Sequence, residues 1–214
     1  MSRPGPGALC TLGEAGGPLL AARDVSLERG GRQLFTRLSF EVHGGHLVQI
    51  EGANGAGKTS LLRILAGLSR HGFEGRVQRG AALLYLGHAS GVKGLLSPRE
   101  NLAWHVAGEG SYSAAQIEAA LAAVGLYGYE DVPSNTLSAG QHRRVNLARL
   151  HLSRSPLWLL DEPFTAIDRR GVGELEELLV AHAERGGAVV FTSHQPLRVN
   201  YDVRALCLLR GLLP

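Results

Sequence analysis

The stretch "HLVQIEGANGAGKTSLLRILAGL", residues 46–68, contains the strongest indication of the fold. It starts with "HLVQIEG", a nearly continuous apolar run that is typical of a strand buried on both faces of a sheet. It ends with "KTSLLRILAGL", where Leu62, Leu65 and Ala66 have helical spacing and Gly67 is a helix-stop residue. The stretch therefore predicts a buried strand that leads through a glycine-rich turn directly into a helix.

The turn itself, "GANGAGKT" at residues 52–59, matches the phosphate-binding pattern G-x-x-x-x-G-K-[ST]. Its glycines let backbone N–H groups turn inward around a phosphate chain, and the helix N-terminus adds positive potential. Lys58 is expected to reach the β- and γ-phosphates, and the Thr59 hydroxyl to bind Mg²⁺. A chance match in a glycine-rich chain is the alternative, but the only other lysine is Lys93, and the strand-to-helix setting is the one that the motif requires. The residues predicted to bind the nucleotide here are Gly52, Ala53, Asn54, Gly55, Ala56, Gly57, Lys58, Thr59 and Ser60.

Apolar strands and helices alternate along much of the remaining chain. Residues 19–30 and 38–45 have the apolar alternation of half-buried strands. More continuously apolar strands are predicted at residues 82–87, 157–161, 188–193 and 204–210, with a helix at 171–187. Buried strands that alternate with helices predict an α/β fold with a largely parallel sheet covered on both faces.

Residues 89–150 interrupt this alternation with a run of helices. "SPRENLAWHV" opens with a Ser-x-x-Glu capping box, and "SAAQIEAALAAVGL" and "SAGQHRRVNLARLHLS" are further helical segments. We interpret this region as a helical subdomain inserted into the sheet domain. Residues 1–18 are rich in Gly and Pro without apolar periodicity, which predicts a flexible tail ahead of a single domain at 19–214.

Composition excludes several classes of protein. The chain has 214 residues, of which 44% are hydrophobic and 19% charged, as in an ordinary folded domain. No apolar run reaches the roughly 18 to 20 residues that cross a bilayer, so we expect the chain to stay in the cytoplasm. Cys10 and Cys207 lack the spacing of a zinc site or a disulfide framework. A net charge of +3 is weak evidence for a nucleic acid or membrane partner.

A second candidate site lies in "PLWLLDEPFTAID", residues 156–168, where an apolar strand ends in two adjacent acids. Ligands of α/β sheets bind beyond the carboxyl ends of the strands, so these acids are expected to meet the phosphates. Asp161 would orient Mg²⁺, usually through water, and Glu162 would act as general base on the attacking water. The alternative is an exposed acidic turn, which the apolar run before Asp161 disfavours.

The segment "LSAGQ", residues 137–141, precedes a helix and resembles the signature of the ABC ATPase family, Leu-Ser-Gly-Gly-Gln, with Ala139 in place of the first Gly. By itself it could be an ordinary Ser-capped helix start. Together with the other two motifs, in this order, it identifies an ABC ATPase. The resemblance implies a P-loop core with an antiparallel β subdomain near the N-terminus, and a head-to-tail dimer with ATP between one P-loop and the other signature. The signature residues expected to contact ATP are Ser138, Ala139, Gly140 and Gln141.

Two further positions match the family and two depart from it. Asp168 in "TAID" corresponds to the D-loop acid that acts across the dimer, and His194 in "TSH" to the switch histidine that contacts the γ-phosphate. Arg29 stands where an aromatic residue stacks on adenine, which leaves base contact to a guanidinium plane. His88 in "YLGH" stands where the family mostly has the Gln that senses Mg²⁺ and touches the membrane partner.

The combination of "GH", "GVK", "DEPFTAID" and "SHQPL" resembles the ATP-binding subunits of the haem exporter of cytochrome c maturation, over residues 19 to about 200. This resemblance implies an ATP- and Mg²⁺-dependent hydrolase, peripheral to the cytoplasmic face of the bacterial inner membrane. Its partners would be integral membrane permease subunits, without nucleic acid. ATP hydrolysis would drive release of haem-loaded chaperone.

The alternatives to this function fall into three classes. Within the same class the alternative is an ABC subunit that exports another substrate, such as a drug or lipid. A soluble ABC protein that acts on nucleic acid or ribosomes needs long coiled-coil arms or two cassettes, and the sequence predicts neither. A P-loop kinase or GTPase has no reason to contain "LSAGQ", and a GTPase would need an Asn-Lys-x-Asp base reader, which the sequence lacks.

Overall fold

The computed structural model describes residues 17–69, 71–105 and 112–208. Of the predicted tail, residues 1–16 lie outside the described residues. The chain forms two compact units, which we treat separately. The first unit comprises the residues up to 85, residues 155–162 and those from 176 onward, and the second comprises residues 86–154 and 163–175. The division into a tail and a single ATPase domain stays a prediction.

The first unit contains a five-stranded sheet with the strand order β5-β6-β7-β3-β8. Its strands are β3 (Leu47–Glu51), β5 (Leu83–Leu86), β6 (Leu157–Leu160), β7 (Ala188–Thr192) and β8 (Val203–Cys207). Strand β3 pairs in parallel with both β7 and β8, and β6 pairs in parallel with β7. Because β3, β6 and β7 are neighbours, their carboxyl ends meet at one edge of the sheet. The largely parallel sheet predicted from the sequence is confirmed.

A separate antiparallel sheet is built from β1 (Leu20–Arg29), β2 (Arg32–Val42) and β4 (Glu74–Arg79), with β1 in the middle. It is the antiparallel subdomain that the family resemblance implies. Strand β4 was not predicted from the sequence, and its exposure explains why. Only Val77 in this strand is even partly buried, so the strand lacks the apolar alternation that makes a strand recognisable.

Helix α1 (Lys58–Leu65) follows the glycine-rich turn and buries its apolar side in the main core of the first unit. Arg79, on β4, donates hydrogen bonds from Nε to Leu65 O at 2.7 Å and from Nη2 to Ile64 O at 2.8 Å. These carbonyls are at the C-terminal end of α1, where a cation is favoured. The core of this unit thus holds the helix that starts at the phosphate-binding pattern. Its buried members include Phe35, Val48, Ile50, Leu61, Leu62, Ile64, Leu65, Leu157, Leu159 and Val190.

The second unit is helical. Its helices are α2 (Pro98–His105), α3 (Ala114–Ala123) and α4 (Ala139–Leu152), and helix α5 (Arg169–Glu184) has residues in both units. The predicted capping box is present, since the Ser97 N–H donates to Glu100 Oε2 at 2.8 Å and the Glu100 N–H to Ser97 Oγ at 3.2 Å. Over the described ranges, no helix combines the length and the apolar character that crossing a bilayer requires.

Candidate active site

The glycine-rich turn has a backbone conformation that explains its composition. Gly52, Gly55 and Gly57 all have positive φ, at 151°, 77° and 98°. Gly57 is also crowded, because a Cβ there would lie 3.0 Å from Cε1 of Phe35. No side chain among the described residues caps the N-terminus of α1. The first N–H groups of that helix therefore face the turn without a side-chain acceptor, an arrangement suited to an anion.

Lys58 lies over this turn. Its Nζ donates to Gly52 O at 2.7 Å and to Ala53 O at 3.4 Å. The carbonyls at the start of the loop thus hold the ammonium group beside the backbone N–H groups of the same loop. A phosphate chain bound by those N–H groups would meet the positive charge of Lys58.

Thr59 and Asp161, the predicted Mg²⁺ residues, are in contact. Thr59 Oγ1 donates to Asp161 Oδ1 at 3.1 Å, and Asp161 is almost completely buried at the end of β6. The described residues contain no cluster of three or more acidic, His or Cys side chains able to hold a metal by themselves. Mg²⁺ in nucleotide sites needs no such cluster, because it takes one or two protein oxygens and the rest from phosphate and water. The oxygens of Thr59 and Asp161 fit Mg²⁺ in this role.

Glu162 follows Asp161 with a left-handed backbone, at φ 51°. Its N–H donates to Thr192 Oγ1 at 2.8 Å, and its carboxylate Oε1 lies 3.4 Å from His194 Nε2. The Glu162 side chain is mostly shielded from solvent, whereas His194 is exposed. The structure therefore brings the predicted general base and the predicted switch histidine together in the first unit. Thr192 was not predicted as a site residue, because a β-branched residue in a buried strand is usually only a packing residue.

The signature residues lie in the second unit, at the start of α4. The Ser138 N–H donates to Gln141 Oε1 at 2.8 Å, and the Gln141 N–H to Ser138 Oγ at 3.2 Å. This reciprocal capping box shows that Ser138 is the N-cap of α4, so the interpretation of "LSAGQ" as a Ser-capped helix start is correct. Ala139 and Gly140 are the next residues of the helix. The helix N-terminus with positive potential, on which the family role depends, is present as well.

Asp168, the predicted D-loop acid, is hydrogen-bonded to other residues of the second unit. Its Oδ1 accepts from the Gly171 N–H at 2.8 Å, and its Oδ2 from Arg144 Nη2 at 2.6 Å. The Gly171 amide, with the Arg144 charge beside it, lowers the pKa of Asp168 below its usual value. Arg144 was not predicted as part of the site, although it lies on the signature helix. His88 and Arg29, the two departures from the family pattern, are both exposed.

Comparison with known proteins gives a consistent result. The family model described as "ABC transporter" matches residues 35–165. The "Cytochrome c biogenesis ATP-binding export protein CcmA" of Hahella chejuensis is 50% identical over 200 residues, covering 88% of this chain and 95% of the relative. The proteins of the same name from Saccharophagus degradans and Pseudomonas putida are 53% and 52% identical. They are matched over 95% and 90% of their lengths, and over 88% and 83% of this chain.

Solved structures agree on the fold. An inward-facing ABC transporter of the metal-chelate type superposes with a TM-score of 0.75 at 23% identity, covering 91% of this chain and 81% of the other. An ATP-binding cassette solved as a dimer in a post-hydrolysis state with ADP and phosphate gives a TM-score of 0.73 at 22% identity, covering 82% and 88%. At such identities these structures support the fold alone.

Proposed function

The chain belongs to the ABC transporter family and, within it, to the cytochrome c biogenesis ATP-binding export proteins, and we propose that it hydrolyses ATP to drive haem handling in the maturation of c-type cytochromes. The observation that carries the ATPase assignment is the contact of Thr59, in the first turn of α1, with Asp161, which together with Glu162 directly follows β6. Phosphate-binding and water-activating groups are then available from the same edge.

Binding of ATP relies on the glycine-rich turn. The N–H groups of residues 52–59 and the Lys58 ammonium, which lies over the turn, would hold the phosphates. The Thr59 hydroxyl and, through water, the Asp161 carboxylate beside it would hold Mg²⁺. When bound, Mg²⁺ neutralises charge that develops on the phosphate oxygens. The signature and D-loop contacts belong to the dimer, as the family resemblance implies, whereas His88 occupies the position that senses Mg²⁺ and touches the membrane partner.

Hydrolysis relies on Glu162. Its carboxylate accepts a proton from water as the water oxygen attacks the γ-phosphorus and the bond to the β-phosphate oxygen breaks, which leaves ADP and phosphate. His194, 3.4 Å from this carboxylate, orients it and contributes a polar contact near the γ-phosphate. Glu162 has a left-handed backbone, and its carboxylate lies beside His194.

The active assembly is a head-to-tail homodimer in which Ser138, Ala139, Gly140 and Gln141 of one subunit contact the ATP held by the other. Membrane permease subunits complete the complex and hold the chain at the cytoplasmic face of the bacterial inner membrane. The segment 88–105 is the surface proposed to receive them. Two large apolar side chains there, Leu95 and Trp104, are 89% and 65% exposed, which fits a surface that another protein covers.

The cargo assignment rests on the relatives. All three relatives described above are named for cytochrome c biogenesis and export, and they match this chain at 50% to 53% identity. A drug or lipid exporter, or a soluble protein acting on nucleic acid, is not favoured by these relatives.

The test replaces the general base in the source organism. Glu162→Gln keeps the size of the side chain and removes its basicity, so we expect ATP turnover to fall by about 100-fold or more while ATP still binds. Membranes should then lack covalently attached haem, and haem should remain on the maturation chaperone. Glu177→Gln, the same change at an exposed position of α5, is the matched control and should leave cytochromes at wild-type levels.

Two results would contradict the proposal separately. Unchanged ATP turnover in Glu162→Gln would remove the assigned base. Normal c-type cytochromes in a strain whose ATP turnover is lost would leave an ABC ATPase but assign it to another cargo.

A further inference from the structure

Thr192 is the last residue of β7 and lies between the two acids of the candidate active site. It is completely buried. Its Oγ1 lies 2.9 Å from Asp161 Oδ1 and 2.8 Å from the backbone nitrogen of Glu162. One hydroxyl group therefore contacts both the metal-site carboxylate and the main chain of the general base.

The direction of both hydrogen bonds follows from the donors available. The Glu162 N–H can only donate, so the Thr192 hydroxyl must accept with a lone pair. An ionised carboxylate can only accept, so the Thr192 proton must point to Asp161. Thr192 thus uses its donor and an acceptor site at the same time, and valine, which has the same shape, could replace neither.

The contact matters for Glu162 because its backbone is left-handed, at φ 51°. A residue with a side chain is disfavoured in this region, and surrounding contacts must hold it there. The bond from the Glu162 N–H to Thr192 is one such contact, and it fixes the peptide that carries the side chain. The same backbone places the Glu162 carboxylate 3.4 Å from His194 Nε2.

The position of Thr192 in the sheet explains why this hydroxyl can reach both groups. In the β6–β7 ladder Leu160 pairs with Phe191, so Asp161 and Thr192 are the next residues along their strands. In the β3–β7 ladder Thr192 pairs with Ile50, two residues before the glycine-rich turn. Thr192 therefore joins the ends of the strands that carry the phosphate-binding turn and the two acids.

We infer that Thr192 is a positioning residue for ATP hydrolysis, which holds the Asp161 carboxylate and the Glu162 backbone in a fixed relation. This inference rests on the proposed function, because it assigns a reaction to those acids. Thr192 acts through its neighbours, so its loss should lower kcat and leave nucleotide affinity nearly unchanged.

The experiment compares Thr192→Val, which removes the hydroxyl, with Thr192→Ser, which keeps it. The tagged full chain is purified together with the membrane proteins that accompany it. We expect Thr192→Val to lower kcat by about 10- to 100-fold, as a small misplacement of reacting groups does. KM for ATP should stay within about threefold, and Thr192→Ser should recover kcat to within about threefold of the wild type.

Ser193→Ala is the matched control. It removes the adjacent hydroxyl, which bonds the Gln195 backbone instead of the acids, and should leave kcat close to that of the wild type. Hydrogen exchange of the full chain without nucleotide gives a readout other than activity. The Glu162 amide should be protected in the wild type and in Thr192→Ser, and should exchange faster in Thr192→Val.

The outcomes separate the inference from the proposed function. If wild-type and Glu162→Gln proteins hydrolyse ATP equally, the proposed function fails. If Glu162→Gln is inactive but Thr192→Val keeps wild-type kcat, only the inference is overturned. An unprotected Glu162 amide in the wild type would also overturn it, and this measurement needs no variant to fold.

Discussion

At the scale of single residues, the proposed phosphate site contains one of the two lysines of the chain. Lys58 lies over the glycine-rich turn, with its Nζ 2.7 Å from Gly52 O. Lys93 instead places its Nζ 3.8 Å from the centre of the Trp104 ring. The two lysines therefore have different environments, which makes them a matched pair for substitution.

We predict that Lys58→Met weakens ATP binding by about 10- to 100-fold, which corresponds to the loss of a hydrogen bond from a charged group. Lys93→Met should bind ATP as the wild type does. Titration with a fluorescent ATP analogue measures both, and melting curves check that the variants are folded. If both substitutions weakened ATP binding equally, the cause would be the lower positive charge of the whole protein and not the loss of a phosphate contact.

The sequence yields candidate site residues where a motif fixes their spacing, as with Lys58, Thr59, Asp161 and Glu162, and their roles stay predictions. Thr192 and Arg144 could not be predicted in this way. Their contacts are with Asp161, Glu162 and Asp168, residues that only folding brings near. A buried threonine on a strand and an arginine on a helix are common, so neither residue type indicates a site by itself.

At the scale of elements, α5 packs on β6 through an unusual pair of rings in the first unit. The His182 ring stacks on the Trp158 ring, with centroids 3.7 Å apart and an angle of 9° between the planes. His182 Nε2 lies 3.1 Å from Pro156 O. A Cβ added at Gly187 would lie 2.3 Å from that same Nε2, so the glycine leaves the space that the ring occupies.

Burial lowers the pKa of His182 below its ordinary value, so the folded state favours the neutral ring. Between that lowered pKa and the unfolded value of about 6.5, the unfolded chain binds more protons. The contribution of the neutral, buried His182 to the free energy of unfolding is therefore fully present above about pH 6.5. It decreases as the pH falls below that value.

We predict that His182→Phe, which keeps a ring for stacking, reduces the loss of unfolding free energy between pH 7 and pH 5. Some of this loss should remain, because partial desolvation lowers the pKa of His151 too. Urea unfolding at several pH values measures it, with His71→Phe at an exposed position as control. An unchanged pH dependence in His182→Phe would show that His182 contributes nothing to it.

Elements were predictable where their apolar pattern faces a core. Strands β3, β6 and β7 are buried along almost their whole length, and each lies within a predicted stretch. Strand β4 exposes nearly all its residues and is held by pairing with β1, a partner that is remote in sequence. A strand held mainly by backbone pairing does not need alternating apolar residues, so its sequence has no apolar periodicity that would predict it.

At the scale of the whole molecule, the proposal places each ATP between two copies of the chain. A Lys58→Met chain lacks its own phosphate site but offers an intact signature, and a Ser138→Asp chain has the opposite defect. In a head-to-tail dimer of the two, one site combines both defects and the other combines both intact parts.

Ser138→Asp suits this test because aspartate is also a good N-cap. The α4 capping box made with Gln141 can be kept, while a negative charge replaces the hydroxyl that would face the ATP held by the other chain. Ser113→Asp, the same change at the N-cap of α3, should have little effect on ATP turnover and serves as control.

We predict that each variant alone is nearly inactive and that co-expressing the two, each with its own tag, restores measurable ATP hydrolysis in the doubly purified complex. The recovered activity must come from the one intact composite site. Adding Glu162→Gln to the Lys58→Met chain should therefore leave this activity unchanged. Adding Glu162→Gln to the Ser138→Asp chain should abolish it. This asymmetry follows because the general base belongs to the chain whose glycine-rich turn holds the ATP. If the mixed complex stays inactive while Ser113→Asp complexes are active, each chain completes its own site, and the head-to-tail arrangement is wrong.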